Sequence, residues 1–122
     1  MVLDGGELDG VRILAPSSVD AMHRNQSPGI PAIFGHFSIP EASWSLAFTV
    51  ISERPFAYFA GGLVPPGALT HPGAGGVSYW IDPVHDLVGV MFDVITEMSV
   101  DLEPLSSCIN AFQDVVTAAI LD

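Results

Sequence analysis

Gly67-Ala68-Leu69-Thr70-His71-Pro72-Gly73-Ala74-Gly75-Gly76-Val77-Ser78-Tyr79-Trp80-Ile81-Asp82-Pro83-Val84-His85-Asp86-Leu87-Val88-Gly89-Val90 holds two apolar runs separated by a turn. Val77 to Ile81 predicts one strand. Asp82 to Asp86 predicts a turn with Pro83 where a type I turn favours proline. Leu87 to Ile95 is an almost continuous apolar run, which predicts a strand buried on both faces. The two strands make a hairpin. Just ahead of it, Gly73, Gly75 and Gly76 fill three of four positions beside His71. Such glycines let a ligand approach the backbone and can leave N–H groups free for an anion. They serve equally as a turn or bulge where strands cross. Ser78 stands where G-x-G-x-x-G needs its third glycine and no P-loop lysine follows, so no phosphate cradle is expected.

Outward from the hairpin, Pro104 opens a helix whose apolar positions are Leu105, Cys108, Ile109, Phe112, Val115, Val116, Ala119 and Ile120. That is the three-and-four spacing of one buried helical face, with Ser106, Asn110, Gln113, Asp114 and Thr117 opposite. Toward the N-terminus, Phe56 to Ala60 is a short strand candidate. Trp44 to Ile51 reads as a strand with Trp44, Leu46, Phe48 and Val50 on one side. Gln26 to Ala42 is a loop, dense in proline and glycine. Ser17 to Asn25 follows Pro16 as a short helix with His23 and Arg24 in its last turn. Asp9-Gly10 marks a tight turn in a small hairpin. The fold class is α+β: an antiparallel sheet with a C-terminal helix packed on it.

Composition narrows the chemistry. Fourteen acidic residues face three basic ones, Arg12, Arg24 and Arg54, for a net charge of −11. A nucleic-acid or anionic-membrane surface needs a cationic footprint, so neither partner is expected. There is no lysine, which excludes Schiff-base chemistry, a P-loop and a Ser-x-x-Lys pair on this chain. The single cysteine, Cys108, excludes an internal disulfide. No CxxC or HExxH spacing supports a metal, and no cofactor is expected. Residues 1–10 carry no basic n-region and no apolar h-region, so no signal peptide is read there, and a chain starting naturally at Met1 would be cytoplasmic. The 122 residues, 49% of them hydrophobic, have a mean hydropathy of +0.48 without any run long enough to span a membrane. So apolar a chain of this length has more surface to bury than it can enclose. Residues 1–122 read as a single partial domain.

Several individual residues carry both a chemical and a plainer structural reading. Ser78 half-matches Gly-x-Ser-x-Gly but fails at Trp80 and sits within a strand, where a serine on the outer face is the simpler reading. Among His23, His36, His71 and His85 no metal spacing appears. His23 suits a helix end and His85 a solvated turn, whereas His71 borders the glycines and can donate a hydrogen bond to a substrate. Cys108 lies on the apolar helix face and reads as core. Asp82 and Asp86 could pair catalytically, but capping the turn explains them as well. Asn25-Gln26-Ser27 is formally a glycosylation sequon followed by Pro28.

Two stretches carry a family resemblance. Asp4 to Val19 (DGGELDGVRILAPSSV) and Gly67 to Gly76, with Tyr79-Trp80-Ile81-Asp82-Pro83 and Asp86-Leu87-Val88-Gly89-Val90, resemble the later part of the serine beta-lactamase-like superfamily. That superfamily includes class C beta-lactamases, penicillin-binding-protein-like peptidases and esterases. The resemblance spans nearly the whole chain and implies a segment of a beta-lactamase/transpeptidase-like fold. It implies that His71-Pro72-Gly73 is the third-motif strand, His71 facing substrate, with Pro72 departing from the commoner glycine or threonine. The Ala74 N–H would then be an oxyanion-hole donor, so His71, Gly73 and Ala74 form the substrate wall. The family's Ser-x-x-Lys and Tyr-x-Asn are not in this chain, so no catalytic residue is assigned on it and it is expected to be inactive alone. The implied partners are the remainder of the hydrolase domain or a second copy in a homo-oligomer, with a small acyl substrate only in the complete enzyme.

Overall fold

Asp9 and Gly10 both adopt positive φ, 50° and 77°, the backbone that a two-residue primed turn needs. They join β1 (Glu7–Leu8) to β2 (Val11–Arg12) as an antiparallel pair. Arg12 closes this hairpin by pairing with Glu7 and donating to the carbonyls of Gly5 and Leu14. The computed structural model describes residues 1–34, 37–40, 42–52, 60–73, 75–94 and 103–121, with the backbone alone at 34, 37, 103–105 and 121. The proposed strand at Phe56 to Ala60, together with His36, Arg54, Ala74, Ile95 and the Leu105 side chain, lies largely or wholly outside the described residues.

Pro16 occupies the first turn of α1 (Pro16–Met22), where its missing N–H costs nothing. The helix ends earlier than its sequence implies. His23 is already the C-cap, and Arg24 lies beyond the last turn. Within the expected loop, Ala32–Phe34 (β3) and Phe37–Ile39 (β4) pair as a small hairpin flanked by Pro31 and Pro40. The prolines bound the strands rather than interrupting them.

The expected strand from Trp44 to Ile51 is instead a reversal. Ser45 N–H and Oγ both donate to the Phe48 carbonyl at 2.8 and 3.1 Å, and Ala47 takes φ +82°. Trp44 thereby bridges Thr49, and only Thr49–Val50 (β5) continues as strand. Leu46 sits exposed on the turn. The alternation of apolar residues ran across a bend that only the folded backbone reveals.

β6 (Leu69–Pro72), β7 (Ser78–Asp82) and β8 (Leu87–Met91) complete an antiparallel sheet in the order β5-β6-β7-β8. The hairpin from the opening stretch is β7–β8, in register Ser78↔Met91 to Asp82↔Leu87. Side chains alternate between the two faces. Trp80 joins Ile51, Ala60, Val64 and Ala68 on one face, where Val116 of α2 (Glu103–Leu121) packs. Ile81, Leu69 and Phe48 form the core of the other, with Val2, Leu3, Met22 and Tyr79 against them. Burial of β8 on both faces does not hold. Val88 and Val90 are 54% and 45% exposed, because the described residues cover only the opposite face at Gly89. Gly89 itself is required there: the Trp80 indole lies across it, and a methyl group would overlap the ring.

The C-terminal helix forms where its spacing predicts, but it turns a different side to the sheet. Ser106, Ile109, Gln113 and Thr117 are buried, while Cys108, Phe112, Val115 and Ile120 of the apolar stripe are exposed. The loop at 60–64 sets this orientation. Gly61 N–H donates to Gln113 Oε1 at 2.7 Å, and Leu63 N–H donates to Asp114 Oδ1 at 2.8 Å. A Cβ on Gly61 would collide with Asp114 and the Asn110 carbonyl, so loop and helix meet backbone to side chain. Of the described helices, none is long and apolar enough to cross a membrane.

Candidate functional site

β6 pairs Leu69↔Ile81 and His71↔Tyr79, so His71 emerges on the sheet face away from α2. Its side chain is exposed. Trp44, carried back by the Ser45–Phe48 turn, stands edge-on to the His71 ring at 6.4 Å between centroids. Tyr79 lies on the other side at 6.3 Å, and Phe48 meets Tyr79 at 6.0 Å in a T-shaped contact. The result is a row of four rings, Trp44, His71, Tyr79 and Phe48, with the imidazole its most accessible member. Burial pushes the Tyr79 phenol above its ordinary pKa of 10.0, because the apolar surroundings disfavour the phenolate. Tyr79 is therefore a neutral hydroxyl at physiological pH. As a neutral hydroxyl it can donate a hydrogen bond.

Immediately after β6 the chain tightens. Gly73 N–H donates to the Val77 carbonyl at 2.6 Å, and Gly76 N–H donates to the Gly73 carbonyl at 3.1 Å, with Gly76 at φ +99°. The glycine stretch is thus a closed turn feeding β7, and the N–H groups of Gly73 and Gly76 are committed within it. Thr70 points to the helix side and donates from Oγ1 to the Tyr79 carbonyl at 3.0 Å. This bond fixes the β6–β7 separation beside His71. Of the three expected wall residues, His71 lies on β6 and Gly73 opens this turn, with Pro72 between them, and Ala74 lies outside the described residues.

Other candidates are separated from this place. Ser78 does not sit on an outer face. It is 1% exposed, on the Trp80 side of the sheet, where a substrate carbonyl cannot reach it. Cys108 is exposed rather than core, since the helix presents its polar side inward. Asp82 is fully buried and caps the β7–β8 turn, accepting from the N–H groups of Val84 and His85 at 2.8 and 3.2 Å. His85 is not a free solvated side chain, for its Nδ1 lies 2.6 Å from Asp82 Oδ2. Asp86, at φ +52°, turns outward. These three residues shape a turn and do not form a carboxylate pair. Asn25 accepts from Ser27 N–H at 2.8 Å in a local turn. Among the described residues no three His, Cys, Asp or Glu side chains gather as a metal site.

Trp44 and Tyr79 were not legible as neighbours of His71. The signal for Tyr79 was the hairpin register, which puts it two strand positions from the turn on the His71 side. For Trp44 no local signal exists, since its approach depends on the Ala47 reversal.

No protein-family model matches the chain, and no curated protein matches it. Among solved structures, a beta-lactamase from Mycobacterium bovis superimposes with a TM-score of 0.71 at 20% identity. The match covers 98% of this chain and 40% of that one, so the chain spans well under half the length of the structure it resembles. The α+β architecture, antiparallel sheet and C-terminal helix included, is that of the beta-lactamase-like fold.

Proposed function

We propose that this chain is the C-terminal segment of a beta-lactamase-like serine hydrolase, supplying the third-motif strand and the oxyanion-hole wall of an enzyme that hydrolyses or transfers an acyl group from an ester or amide. The observation that carries this reading is His71: an exposed imidazole on β6, directly before the closed glycine turn, on the face of the sheet opposite α2. In this reading His71 donates a hydrogen bond to the bound substrate. The Ala74 N–H meets the negative charge that builds on the carbonyl oxygen as the tetrahedral species forms, a contribution of about 3 kcal/mol for one such donor. Gly73, the residue before Ala74 in the sequence, belongs to the same wall. The attacking hydroxyl and its lysine come from the remainder of the hydrolase domain, since this chain has no lysine. A nucleophile and its base act as a unit, so the wall alone turns nothing over.

A second reading is supported by the exposed edge of β8 and the exposed apolar stripe of α2. In it the chain is a non-catalytic, stand-alone module that associates through those surfaces.

The experiment that separates them is to read the DNA ahead of Met1 and express the longest in-frame polypeptide. The hydrolase reading predicts a Ser-x-x-Lys in that extension and turnover of a chromogenic ester or cephalosporin. It also predicts a loss of kcat/KM of roughly 100- to 1000-fold for His71→Ala, the span expected for one transition-state donor. An extension without Ser-x-x-Lys, or a His71→Ala variant with full activity, defeats it.

A further inference from the structure

Trp44 is held beside His71 by backbone bonds on every side. Val50 N–H donates to the Ser43 carbonyl at 2.8 Å, Gln26 N–H donates to the Trp44 carbonyl at 2.7 Å, and Ser45 N–H donates to the Phe48 carbonyl at 2.8 Å. Gln26 brings in the segment that follows α1, so this segment and β5 both clamp the one tryptophan. The reversal that delivers it is strained. Ala47 sits at φ +82°, a backbone region that residues with a Cβ rarely adopt and that persists only where its surroundings over-determine it. What the strained turn achieves is the approach of the indole to 6.4 Å from the His71 ring.

The ring row is the open end of a core. Phe48, Leu69 and Ile81 are buried on the sheet face away from α2, and His71 and Tyr79 form the next cross-strand pair on that face toward the glycine turn. Trp44 and Tyr79 are half-buried and His71 is exposed, so a molecule bound at the imidazole meets aromatic surface on either side. In the hydrolase reading the imidazole tip is taken by the polar group of the substrate, which leaves ring faces and edges for the rest of it. The ion pairs found among the described residues join Met1 to Asp4, Arg12 to Glu7 and His85 to Asp82, and none involves the row. A carboxylate laid against these rings would lose hydration without gaining a partner. A flat apolar ring instead meets them in the edge-on and offset arrangements that aromatic pairs favour.

We infer that Trp44, with His71 and Tyr79, selects the substrate by an uncharged aromatic ring, so that the ester or amide taken at this site is an arylalkyl one whose ring lies against the Trp44–His71 pair. The inference rests on the hydrolase reading for the bond that is broken, while the preference for a ring belongs to this chain. Trp44 touches a part of the substrate that does not react. Its contact is made equally before and during the chemical step, so losing it raises KM and leaves kcat nearly unchanged.

The test is proton–nitrogen correlation NMR of the 122-residue chain titrated with phenylacetamide, cyclohexylacetamide and phenylacetate, which match in size but differ in aromaticity or charge. Phenylacetamide should bind roughly 2- to 12-fold more tightly than either of the others, the span of one aromatic contact. It should move the Trp44 indole N–H resonance and leave that of buried Trp80 in place. Trp44→Leu should remove the preference and Trp44→Phe should keep most of it, with circular dichroism checking that both variants fold. In the longest in-frame polypeptide, methyl phenylacetate should be preferred over methyl cyclohexylacetate by a similar factor in kcat/KM, carried by KM. Equal binding of the three probes by the parent chain overturns the inference, and that titration needs no variant. So does tighter binding of phenylacetate, which would assign the contact to a cation such as the exposed Arg24. A preference that survives Trp44→Leu, or an active enzyme that takes both methyl esters alike, overturns it as well. An extension without Ser-x-x-Lys defeats the hydrolase reading alone, because the probe titration reads the ring row with no reaction taking place.

Discussion

Gly89→Ala offers the sharpest probe of how the sheet and helix are joined. The Trp80 indole crosses β8 at Gly89, and an added Cβ would lie inside van der Waals contact with three ring carbons, all in the rigid six-membered ring. Trp80 is 1% exposed, so the ring has nowhere to retreat without disturbing its neighbours. Overpacking of this kind costs about 1–3 kcal/mol. A displaced indole also loses its T-shaped contact with Phe112, at 87°, worth about 0.5–1.5 kcal/mol. The expected loss is about 2–4 kcal/mol. With an unfolding entropy of roughly 2.1 cal/mol/K per residue, 1 kcal/mol corresponds to about 4 °C for a chain of this length, so Tm should fall by about 8–15 °C. Thermal melting followed by circular dichroism reads the change in both the parent and the control background. In a Trp80→Leu background the same glycine substitution should cost less than 1 kcal/mol, because the ring it collides with is gone. A Gly89→Ala chain within 0.5 kcal/mol of the parent, or an equal cost in both backgrounds, refutes the packing argument.

Two other expectations follow from the helix and the ring row. Gln113→Ala removes the buried acceptor of the Gly61 N–H and should destabilise by about 1–3 kcal/mol, whereas Val115→Ala, 69% exposed, should stay within about 0.5 kcal/mol in dilute, low-salt solution; chemical denaturation of both ranks them, and the reverse order would mean the helix packs by its apolar stripe. Tyr79 holds its proton more tightly folded than unfolded, so its contribution to stability is intact below pH 10.0 and lost as pH rises through the folded pKa. Phenolate absorbance should show one late-titrating tyrosine that Tyr79→Phe abolishes, with the alkaline loss of stability reduced; a Tyr79 that ionises at its ordinary value contradicts the burial.

What the sequence disclosed was local. Asp9-Gly10 and Asp82 to Asp86 specify turns through backbone conformations that few residues adopt, and both hairpins formed in place. The glycines after His71 were legible as a turn, but that two of their N–H groups are consumed inside it was not, since the Val77 carbonyl reaches Gly73 only once β7 is paired. The helix was visible in its period, yet the period marks a stripe without saying what faces it. Gln113 and Thr117 went inward because the 60–64 loop, fifty residues away, needed an acceptor for Gly61. Trp44 to Val50 alternated like a strand while a reversal at Ala47 broke it. The Leu87 to Ile95 run encodes a covering that the described residues do not provide over Val88 and Val90. His71 stood out by its place beside the glycines, and the family resemblance added the expectation that it faces substrate. Its ring neighbours required the β6–β7 register and the Trp44–Thr49 bridge.

In the proposed function this chain supplies one wall of an acyl-transfer site and no nucleophile of its own. The most direct measurement is intact-mass spectrometry of the purified 122-residue chain after exposure to a serine-reactive fluorophosphonate and to a penicillin, alongside turnover of a chromogenic ester. The account predicts an unmodified mass with both reagents and no turnover above the buffer rate. A stoichiometric adduct on one serine, accompanied by hydrolysis that the same serine-to-alanine change abolishes, would contradict it.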